Sequence, residues 1–514
     1  MARWGAFICD GTEVDAGSLA GEEVVVTTTL PPQPRELVCK LIGIWTRFDL
    51  DGGILIGAVP ELVEQGLKES FRQAGLDPFR LVLVDLRGRD AVGKDREIKA
   101  ALARARHLEP VAWTKAKAQQ RVLIIGGGAA GLQTALGLRK LGLPVVIVEQ
   151  EQNLGGRLTK LDGLCPWDED PQGWIRSALE VLQRDSEVEI LSASKPLALK
   201  GQVGDFTLEV QSPAGPITRR GGAVVLALGS TVRWPQSSGL EPGPHVVGLT
   251  RLDELTPIRL HHKKVAFLLD EDGLGSRLGT LSALRSALRI KDNWGSEVHI
   301  LCRNLKVDGK PLESMYRKAR DRGVVFFKYE ELPRATEQRE KILLQFKDPD
   351  LDNVVVDEAY DLIVLEEEIL PAGEDLGRAW GVLQPANVHL YPVETNRKGI
   401  YMVGGCRDEM DFPGVIQDGT IAAGEIGALL GQGVLIYEED RVRVETEKCV
   451  FCLTCVRLCP HQAAEIDLVK EAAFINPAAC QACGMCAADC PAQAIDYKAY
   501  DNEGILAQLE MGGR

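Results

Sequence analysis

The amino-acid sequence predicts an α/β protein made of several domains. Its 514 residues correspond to about three to four domains of roughly 150 residues each. Short apolar segments alternate with segments of helical periodicity, and one apolar segment leads into a glycine-rich turn at residues 126–131. Eight of the 13 cysteines lie after residue 448. The first two observations favour a Rossmann-type sheet, and the third marks a separate C-terminal module.

The composition is that of a globular protein. Hydrophobic residues make up 45% of the chain and charged residues 26%, which excludes a disordered or collagen-like polymer. The 74 acidic residues outnumber the 59 basic ones and give a net charge of −15, so the chain lacks the basic excess of a nucleic-acid-binding protein. The apolar segment at the N-terminus is too short for a signal peptide, and no later segment is long and apolar enough to span a membrane. We therefore expect a cytoplasmic protein.

The glycine-rich turn has the context of a dinucleotide-binding loop. The apolar segment 121–125 predicts a buried strand, and it is followed by G-x-G-x-x-G and a helical segment. A second strand ends in Glu149, 18 residues after Gly131, where an acid can accept both hydroxyls of an adenosine ribose. The alternative is a turn that keeps its glycines only for packing. Strand, helix and terminal acid together favour the dinucleotide.

The glycines of this loop are predicted to help bind a pyrophosphate. Gly126 permits the tight turn, and Gly128 lets the backbone approach the phosphates. Gly131 allows the helix to pack closely on the strand, and the helix N-terminus offers free amides and a positive dipole end. The cofactor-binding candidates of this loop are Gly126, Gly128, Ala130 and Gly131.

Downstream residues indicate which dinucleotide binds. Residues 153–157, Asn-Leu-Gly-Gly-Arg, resemble the segment after the second strand of two-dinucleotide-binding flavoproteins. In that superfamily the backbone and the arginine of this segment help to hold the diphosphate and ribitol. The resemblance therefore implies FAD, with Gly156 and Arg157 among its contacts.

Two later segments are similar to the same superfamily. Residues 222–229 resemble its Ala-Thr-Gly strand and make Gly229 a cofactor-binding candidate. Residues 399–406 resemble its last flavin strand, but Gly405 stands where the family has aspartate, so any ribitol contact here must come from the backbone. Gln417, which we expect at the start of the next helix, is a candidate to place that helix N-terminus near the flavin pyrimidine ring.

The C-terminal cysteines form two copies of one pattern, C-x2-C-x2-C-x3-C-P, which end at Pro460 and Pro491. This is the spacing of bacterial two-cluster ferredoxins, in which the fourth cysteine of each run ligates the other [4Fe–4S] cluster. A pair of structural zinc sites is the alternative, although zinc usually takes two C-x2-C pairs separated by a longer insert. The first cluster is predicted on Cys449, Cys452, Cys455 and Cys490. The second is predicted on Cys480, Cys483, Cys486 and Cys459.

The other cysteines do not form such a pattern. Cys9 and Cys39, the cysteines before residue 118, are too few for a four-cysteine cluster. Cys302 and Cys406 are interpreted as small buried residues. Cys165 has the same interpretation, but it follows the Gly-Gly-Arg segment and is also the candidate for a redox-active thiol beside the flavin.

Residues 261–385 interrupt the FAD domain, as the nicotinamide domain does in thioredoxin-reductase-like enzymes. A strand at 264–269 is followed by Asp270, Glu271 and Asp272 in a poor copy of the glycine turn. Acids at this turn would repel a pyrophosphate. The sequence leaves open whether this insert binds NAD(P) or is a nucleotide-free structural or docking domain.

The order of these parts resembles the A-type subunit of heterodisulfide reductase and its bacterial relatives. The resemblance is carried by residues 126–131, 149–157 and 392–400 and by the two cysteine runs. It implies an FAD and iron–sulfur subunit that works with other redox subunits in a complex, with ferredoxin and a homodimer among its associations. Some members of the family are the flavin branch point of electron-bifurcating complexes. Larger relatives carry further cluster cysteines that this chain lacks.

The predicted fold class is α/β. A Rossmann-type FAD-binding domain carries an inserted α/β domain, and it is flanked by an N-terminal α/β domain and a C-terminal α+β bacterial-type 2[4Fe–4S] ferredoxin domain. The predicted boundaries are 1–117 for the N-terminal domain, which lacks a cluster, 118–260 and 386–435 for the two parts of the FAD domain, 261–385 for a degenerate insert resembling an NAD(P) domain, and 436–514 for the ferredoxin domain.

The predicted function is electron transfer between FAD and two [4Fe–4S] clusters. Because the cofactors supply the chemistry, no catalytic side chain is predicted. One alternative is a self-contained NAD(P)H:ferredoxin oxidoreductase that binds nicotinamide in the insert. The other is a non-catalytic scaffold or docking subunit whose flavin site has degenerated, as the glycine at position 405 suggests.

Overall fold

The structure is a computed structural model that describes most of the chain. It leaves out residues 1–2, 10–11, 13, 15–23, 32, 58–65, 69, 73, 109–110, 162–169, 255–259, 272, 274, 339, 384–392, 440–441, 499–501 and 513–514. Contacts divide the chain into two compact units. Unit one joins Met1–Ala116 to Val434–Arg514, and unit two is Lys117–Gly433.

The N-terminal part of unit one is a parallel sheet with a helix on each face. Its elements are β1 (Trp4–Cys9), β2 (Val24–Leu30), α1 (Pro34–Phe48), β3 (Gly52–Ile56), β4 (Leu81–Val84), α2 (Ala91–Ala105) and β5 (Trp113–Lys117). Four strands form a sheet in the order β2-β1-β3-β4. Alternation along β1 sends Phe7 towards Trp45 of α1, whereas Ile8 packs with Ile98 of α2. The predicted N-terminal α/β architecture is present.

Unit two contains two folds of the same kind. Each combines a five-stranded parallel sheet with a three-stranded antiparallel sheet. The strands are β6 (Val122–Ile125), β7 (Val145–Val148), β8 (Val188–Leu191), β9 (Lys195–Gln202), β10 (Asp205–Ser212), β11 (Gly215–Gly221), β12 (Ala223–Leu226), β13 (Ser230–Arg233), β14 (Val246–Gly248), β15 (Lys264–Leu268), β16 (Glu297–Cys302), β17 (Val325–Lys328), β18 (Arg334–Gln338), β19 (Lys341–Asp348), β20 (Val354–Tyr360), β21 (Leu362–Leu365), β22 (Glu368–Pro371) and β23 (Ile400–Met402). The helices are α3 (Ala129–Lys140), α4 (Pro171–Arg184), α5 (Arg277–Trp294), α6 (Gly309–Asp321), α7 (Glu374–Ala379) and α8 (Phe412–Leu430).

The first fold has the parallel sheet β23-β12-β6-β7-β8 and the antiparallel sheet β11-β10-β9. Strands β6, β7 and β12 are buried along their whole length, as expected for the centre of a sheet covered on both faces. Helix α3 connects β6 to β7 and packs closely on α8, since a Cβ on Gly137 would lie 2.6 Å from the Cβ of Ala423. This arrangement confirms the predicted Rossmann-type fold.

The second fold has the parallel sheet β14-β21-β15-β16-β17 and the antiparallel sheet β18-β19-β20. Its helix α5 follows β15, in the place that α3 has after β6. The sheet takes in β14 and so includes residues before 261. The paired strands β13 and β22 carry the chain between the two folds.

The C-terminal part of unit one contains short elements: β24 (Val434–Glu438), β25 (Val442–Val444), α9 (Thr454–Leu458), β26 (Ala464–Asp467), β27 (Ala472–Ile475), α10 (Met485–Ala488), β28 (Ile495–Tyr497) and α11 (Asn502–Gly512). Antiparallel pairs form between β25 and β28 and between β26 and β27. Strand β24 pairs with β5, and α11 packs on α2 of the N-terminal sheet. None of the helices in the described part of the chain has the length and apolar character needed to cross a bilayer.

Candidate functional site

The turn after β6 brings the loop glycines against backbone atoms. Gly126 has a φ of +108°, and a Cβ there would lie 2.2 Å from the carbonyl oxygen of Ala227. A Cβ on Gly131 would lie 2.0 Å from the carbonyl oxygen of Gly126. Both distances are too short for real contacts, so this route from strand to helix requires glycine at both positions.

The N-terminus of α3 faces open space. Gly128 caps the helix without a side-chain hydrogen bond. Among the described atoms, the Cα of Gly156 is the only one within 4 Å of a Cβ built on Gly128, and it lies 4.0 Å away. No described atom lies within 4 Å of a Cβ built on Gly229, whose φ is +72°. This space lies at the carboxyl ends of parallel strands, where dinucleotides bind in such folds. We call it the glycine cradle, and the free amides and positive dipole end of α3 suit the phosphates of FAD.

Glu149 supports the cradle from the end of β7. The Gly127 N–H donates to its Oε2 at 2.6 Å, and the Glu151 N–H donates to its Oε1 at 2.8 Å. The side chain is buried, so these two hydrogen bonds fix the carboxylate in one orientation. Each oxygen keeps a second lone pair, which a ribose hydroxyl can use.

Predicted residues from three distant segments of the sequence meet around the cradle. Gly128 and Gly155 form a parallel bridge, which brings Gly156 beside the N-terminus of α3. The Arg157 guanidinium donates from Nη1 to the Ser230 hydroxyl at 2.9 Å. Ser230 directly follows Gly229, so the Gly-Gly-Arg segment and the turn between β12 and β13 form one site. The Arg157 charge fits a diphosphate, and Ser230 was not predicted because an isolated serine carries no sequence signal.

The last strand of the first fold reaches the same site. A Cβ on Gly405 would lie 3.2 Å from the carbonyl carbon of Gly229, so the two predicted glycines are neighbours. The Gly404 N–H donates to Oδ2 of Asp418 at 3.0 Å, and Arg407 donates to both carboxylate oxygens at 2.9 Å. Asp418 is buried and was not predicted, although an acid on the buried face of an apolar helix is a signal that could have found it.

Helix α8 begins earlier than the sequence indicates. Asp411 caps it by accepting from the Gly414 N–H at 3.1 Å, and Pro413 takes a favourable position in the first turn. The helix therefore begins at Phe412, and Gln417 is an exposed residue of its second turn rather than of its start. A contact from Gln417 to the flavin remains a prediction.

The C-terminal cysteines surround two cavities. One is lined by Cys459 together with Cys480, Cys483 and Cys486. The other is lined by Cys490 together with Cys449, Cys452 and Cys455. Each cavity thus combines three thiols of one run with the last thiol of the other. Four thiols around one space are a donor set that suits a [4Fe–4S] cluster.

The backbone of the two cysteine runs repeats the same conformation. The residues on either side of the second cysteine have positive φ in both runs, Phe451 and Leu453 in the first and Ala482 and Gly484 in the second. Positive φ in a short loop can turn successive amides towards one point, which creates a binding place for anions. A cluster with four thiolates is such an anion.

Amides also reach the sulfurs directly. The N–H groups of Ala463 and Ala494 donate to the fourth thiols, Cys459 and Cys490, both at 3.3 Å. Hydrogen bonds to cluster sulfurs are one of the factors that set the reduction potential. In the second run the Ala482 N–H also donates to Cys480 at 3.3 Å.

The pKa values of the cluster thiols depend on their burial and on their neighbours. Burial raises the pKa of Cys486 to about 12, and the neighbouring thiols Cys480 and Cys459 add to the rise. A hydrogen bond with the Thr454 hydroxyl lowers the pKa of Cys452.

The other cysteines differ in exposure. Cys302 and Cys406 are buried, and burial raises the pKa of both thiols, which makes them weak nucleophiles. Cys39 is exposed on α1 of the N-terminal sheet. Cys165 lies outside the described residues.

Comparison with known families agrees with this geometry. Residues 120–277 match the family model described as pyridine nucleotide-disulphide oxidoreductase. Residues 441–491 match the model described as 4Fe-4S dicluster domain. The chain is therefore a flavoprotein oxidoreductase joined to a domain for two [4Fe–4S] clusters, and its cofactors are FAD and these clusters rather than zinc.

The relatives with curated names are subunits of heterodisulfide reductases. An A-type iron–sulfur subunit of the CoB–CoM heterodisulfide reductase of Methanopyrus kandleri is 22% identical and aligns over 82% of this chain and 83% of that protein. The corresponding A-type subunit of Methanocaldococcus jannaschii is 24% identical over 89% and 88% of the two chains. Thioredoxin reductase of T. acidophilum is a solved structure with 15% identity and a TM-score of 0.46, which covers 60% of this chain and 99% of that one. The protein is similar to the A-type subunits of heterodisulfide reductases.

Proposed function

We propose that this protein passes electrons between FAD and two [4Fe–4S] clusters as one subunit of a larger redox complex. The observation that carries the proposal is the pair of cavities, each lined by thiols of both cysteine runs, in a chain that also offers an open glycine cradle. When bound, FAD would exchange two electrons and each cluster one, so the electrons of one reduced flavin would match the capacity of the two clusters.

The chain's own residues bind and orient the cofactors in this proposal. Amides at the start of α3 hold the diphosphate, Glu149 accepts from the ribose, and Arg157 adds a positive charge. No side chain acts as a nucleophile or general base, because electron transfer requires neither. The proposed FAD contacts are Gly126, Gly128, Ala130, Gly131, Glu149, Gly156, Arg157, Gly229, Gly405 and Gln417. The proposed cluster ligands are the eight cysteines of the two runs, in the crossed sets that line the cavities.

The names of the relatives support partner subunits and ferredoxin. The Methanosarcina mazei relative, 22% identical over 90% of this chain and 73% of that protein, is named as the A-type subunit of a ferredoxin:CoB-CoM heterodisulfide reductase. Such a name implies further subunits, and ferredoxin is the partner that we propose for this chain. A homodimer, a cytoplasmic location, the domain boundaries and flavin-based bifurcation stay predictions.

Anaerobic purification tests the cofactor content. We expect one FAD and about eight irons per chain, the total of two four-iron clusters. Photochemical reduction of the flavin should then produce the EPR signals of reduced clusters within the same protein. Clusters without flavin would contradict the proposal and favour the scaffold alternative, while a flavin that never reduces the clusters would contradict the electron path.

Single cysteine variants test the crossed ligand sets. Cys490→Ala should leave about four irons per chain and the same remaining EPR spectrum as Cys449→Ala. The matched variant Cys480→Ala should leave the other cluster and a different spectrum. If Cys490→Ala instead matched Cys480→Ala, each run would hold its own cluster and the crossed assignment would be wrong.

A further inference from the structure

The turn of the second fold is held by carboxylates rather than by glycines. Asp270 follows β15, is buried, and accepts from the Gly275 N–H through Oδ1 at 2.5 Å. Its own backbone has a φ of +65°, a conformation that asparagine and aspartate tolerate better than most residues. The described part of this loop is therefore tied together by an acid at the position where the first fold has its glycine turn.

Glu366, from the end of the neighbouring strand β21, completes this arrangement. Its Oε2 accepts from the Asp270 N–H at 2.9 Å, and its Oε1 accepts from the N–H and the hydroxyl of Ser276 at 3.1 and 3.0 Å. A Cβ on Gly279 would lie only 1.7 Å from the same Oε1. The carboxylate thus lies directly on the first turn of α5.

Two further amides at the start of α5, those of Leu278 and Gly279, also have partners. The Gly279 N–H donates to the Ser276 hydroxyl at 2.7 Å. The Leu278 N–H donates at 3.1 Å to Oε1 of Glu409, which lies just before α8 of the first fold. Arg277 adds an ion pair with Asp411 at 2.7 Å. The helix end that would receive a phosphate is thus held by the chain's own acids and joined to the first fold.

The electrostatics of this end differ from those of the glycine cradle. Burial raises the pKa of Glu366, and hydrogen bonds from Asp270 and Ser276 oppose that rise because they stabilise the charged form. A pyrophosphate that approached α5 would have to displace a carboxylate and would meet the charges of Asp270 and Glu409. At α3, by contrast, Gly128 caps the helix and forms no side-chain hydrogen bond.

We propose that Glu366 determines the electron donor by taking the place of a dinucleotide phosphate at the N-terminus of α5. Nicotinamide dinucleotides then do not bind the second fold and do not reduce the flavin. This inference deepens the proposed function, on which it rests, because electrons must then enter from a partner. It also argues against the alternative of a self-contained NAD(P)H:ferredoxin oxidoreductase.

The test uses anaerobically purified, FAD-saturated protein, so that the glycine cradle is occupied. NADH and NADPH should leave the flavin absorbance unchanged in the wild type, and ADP-ribose should not shift its thermal unfolding. Reduction of the flavin by either nucleotide, or binding of ADP-ribose at α5, would overturn the proposal. These wild-type measurements need no variant to fold.

A pair of variants tests the role of the carboxylate itself. Glu366→Ala should bind inorganic pyrophosphate at least tenfold more tightly than the wild type, measured by calorimetry. Glu368→Ala is the matched control, since Glu368 lies two residues further along and pairs with Arg233 away from α5. Equal pyrophosphate affinity in Glu366→Ala and the wild type would overturn the role of Glu366. FAD and iron counted in the same samples report separately on the proposed function.

Discussion

The two folds of unit two share the order of four strands in their parallel sheets, but the turns that follow their central strands differ. In both, a central parallel strand leads into a helix, and a three-stranded antiparallel sheet is attached. The first helix is capped by Gly128, which leaves the helix end open, and the second is capped by Ser276, whose hydroxyl accepts from Gly279. The same topology therefore supports a cofactor site in one place and a closed, structural turn in the other.

The two helix ends differ mainly in where a glutamate carboxylate lies. Glu149 accepts the Gly127 amide and leaves the helix end of the first fold open. Glu366 lies on the helix end itself and accepts the Ser276 amide. A Rossmann-type topology is thus not sufficient evidence for a nucleotide, because one carboxylate at a strand end can replace the phosphate.

The largest effect should come from filling the glycine cradle. Gly128 has extended backbone angles, φ −76° and ψ −173°, that a valine can adopt. Gly128→Val should therefore fold but project its side chain where we propose that the diphosphate binds. We expect at least a hundredfold loss of FAD affinity, about 2.7 kcal/mol. FAD per chain and the visible flavin spectrum measure this, with iron content unchanged.

The matched control changes the capping residue of the second fold. Ser276→Ala removes the hydroxyl that accepts from Gly279 and should cost about 1 kcal/mol of stability. It should leave FAD content at the wild-type level. An equal loss of FAD in both variants would show general damage and would remove the distinction between the two helix ends.

A second pair of variants makes the same change in both folds. Each oxygen of Glu149 accepts a backbone N–H, and the same is true of Glu366, so a glutamine at either position leaves one donor unsatisfied. Both variants should lose about 1–3 kcal/mol of stability. Only Glu149→Gln should also weaken FAD, by roughly tenfold or about 1.4 kcal/mol. FAD titration of the apoprotein distinguishes them, and weaker FAD binding in Glu366→Gln would count against separate roles.

The smallest effect concerns acid stability in the second fold. Burial lowers the pKa of His299, helped by the Lys264 charge and opposed by Glu297 and Glu358, and its Nδ1 lies 2.9 Å from the Tyr360 hydroxyl. The unfolded imidazole, with a pKa near 6.5, takes up a proton that the folded one resists, so stability should fall as the pH drops below about 6.5.

Replacement of the imidazole tests this slope. His299→Gln should reduce the loss of stability between about pH 7 and pH 5, by at most about 1.4 kcal/mol per pH unit. Urea midpoints at several pH values provide the measurement. An unchanged pH dependence in the variant would assign the acid sensitivity to other groups, and Glu297 would then be the first to examine, since it contacts His299.

The sequence predicts some of these features better than others. The glycine turn and the cysteine runs are local patterns, so Gly126, Gly131 and the crossed thiol sets could be proposed from spacing alone. The acids that close the second fold could be only partly foreseen. Asp270 lies in the turn, but Glu366 is 90 residues away from Ser276 in the chain, and only the parallel pairing of β21 with β15 brings them together.

The early start of α8, by contrast, depends on a local contact. The apolar and small residues of this segment do not fix the helix start, whereas the cap at Asp411 does, through a side-chain contact three residues away. A capping residue followed by proline is a recognised start signal, so the correct boundary was available from the sequence. The role of Asp418 could not be predicted in this way, because its contact with Gly404 depends on the packing of α8 against the sheet.

The shared lining of the two cavities has a consequence for biosynthesis. Neither cavity is lined by one cysteine run alone, since Cys459 belongs with the second run and Cys490 with the first. A nascent chain that has emerged only as far as residue 479 offers no complete set of four thiols for either cluster. If the crossed sets bind the clusters as we propose, iron loading would wait until the second cysteine run has left the ribosome. Truncation before Cys490 would leave an incomplete thiol set in one cavity.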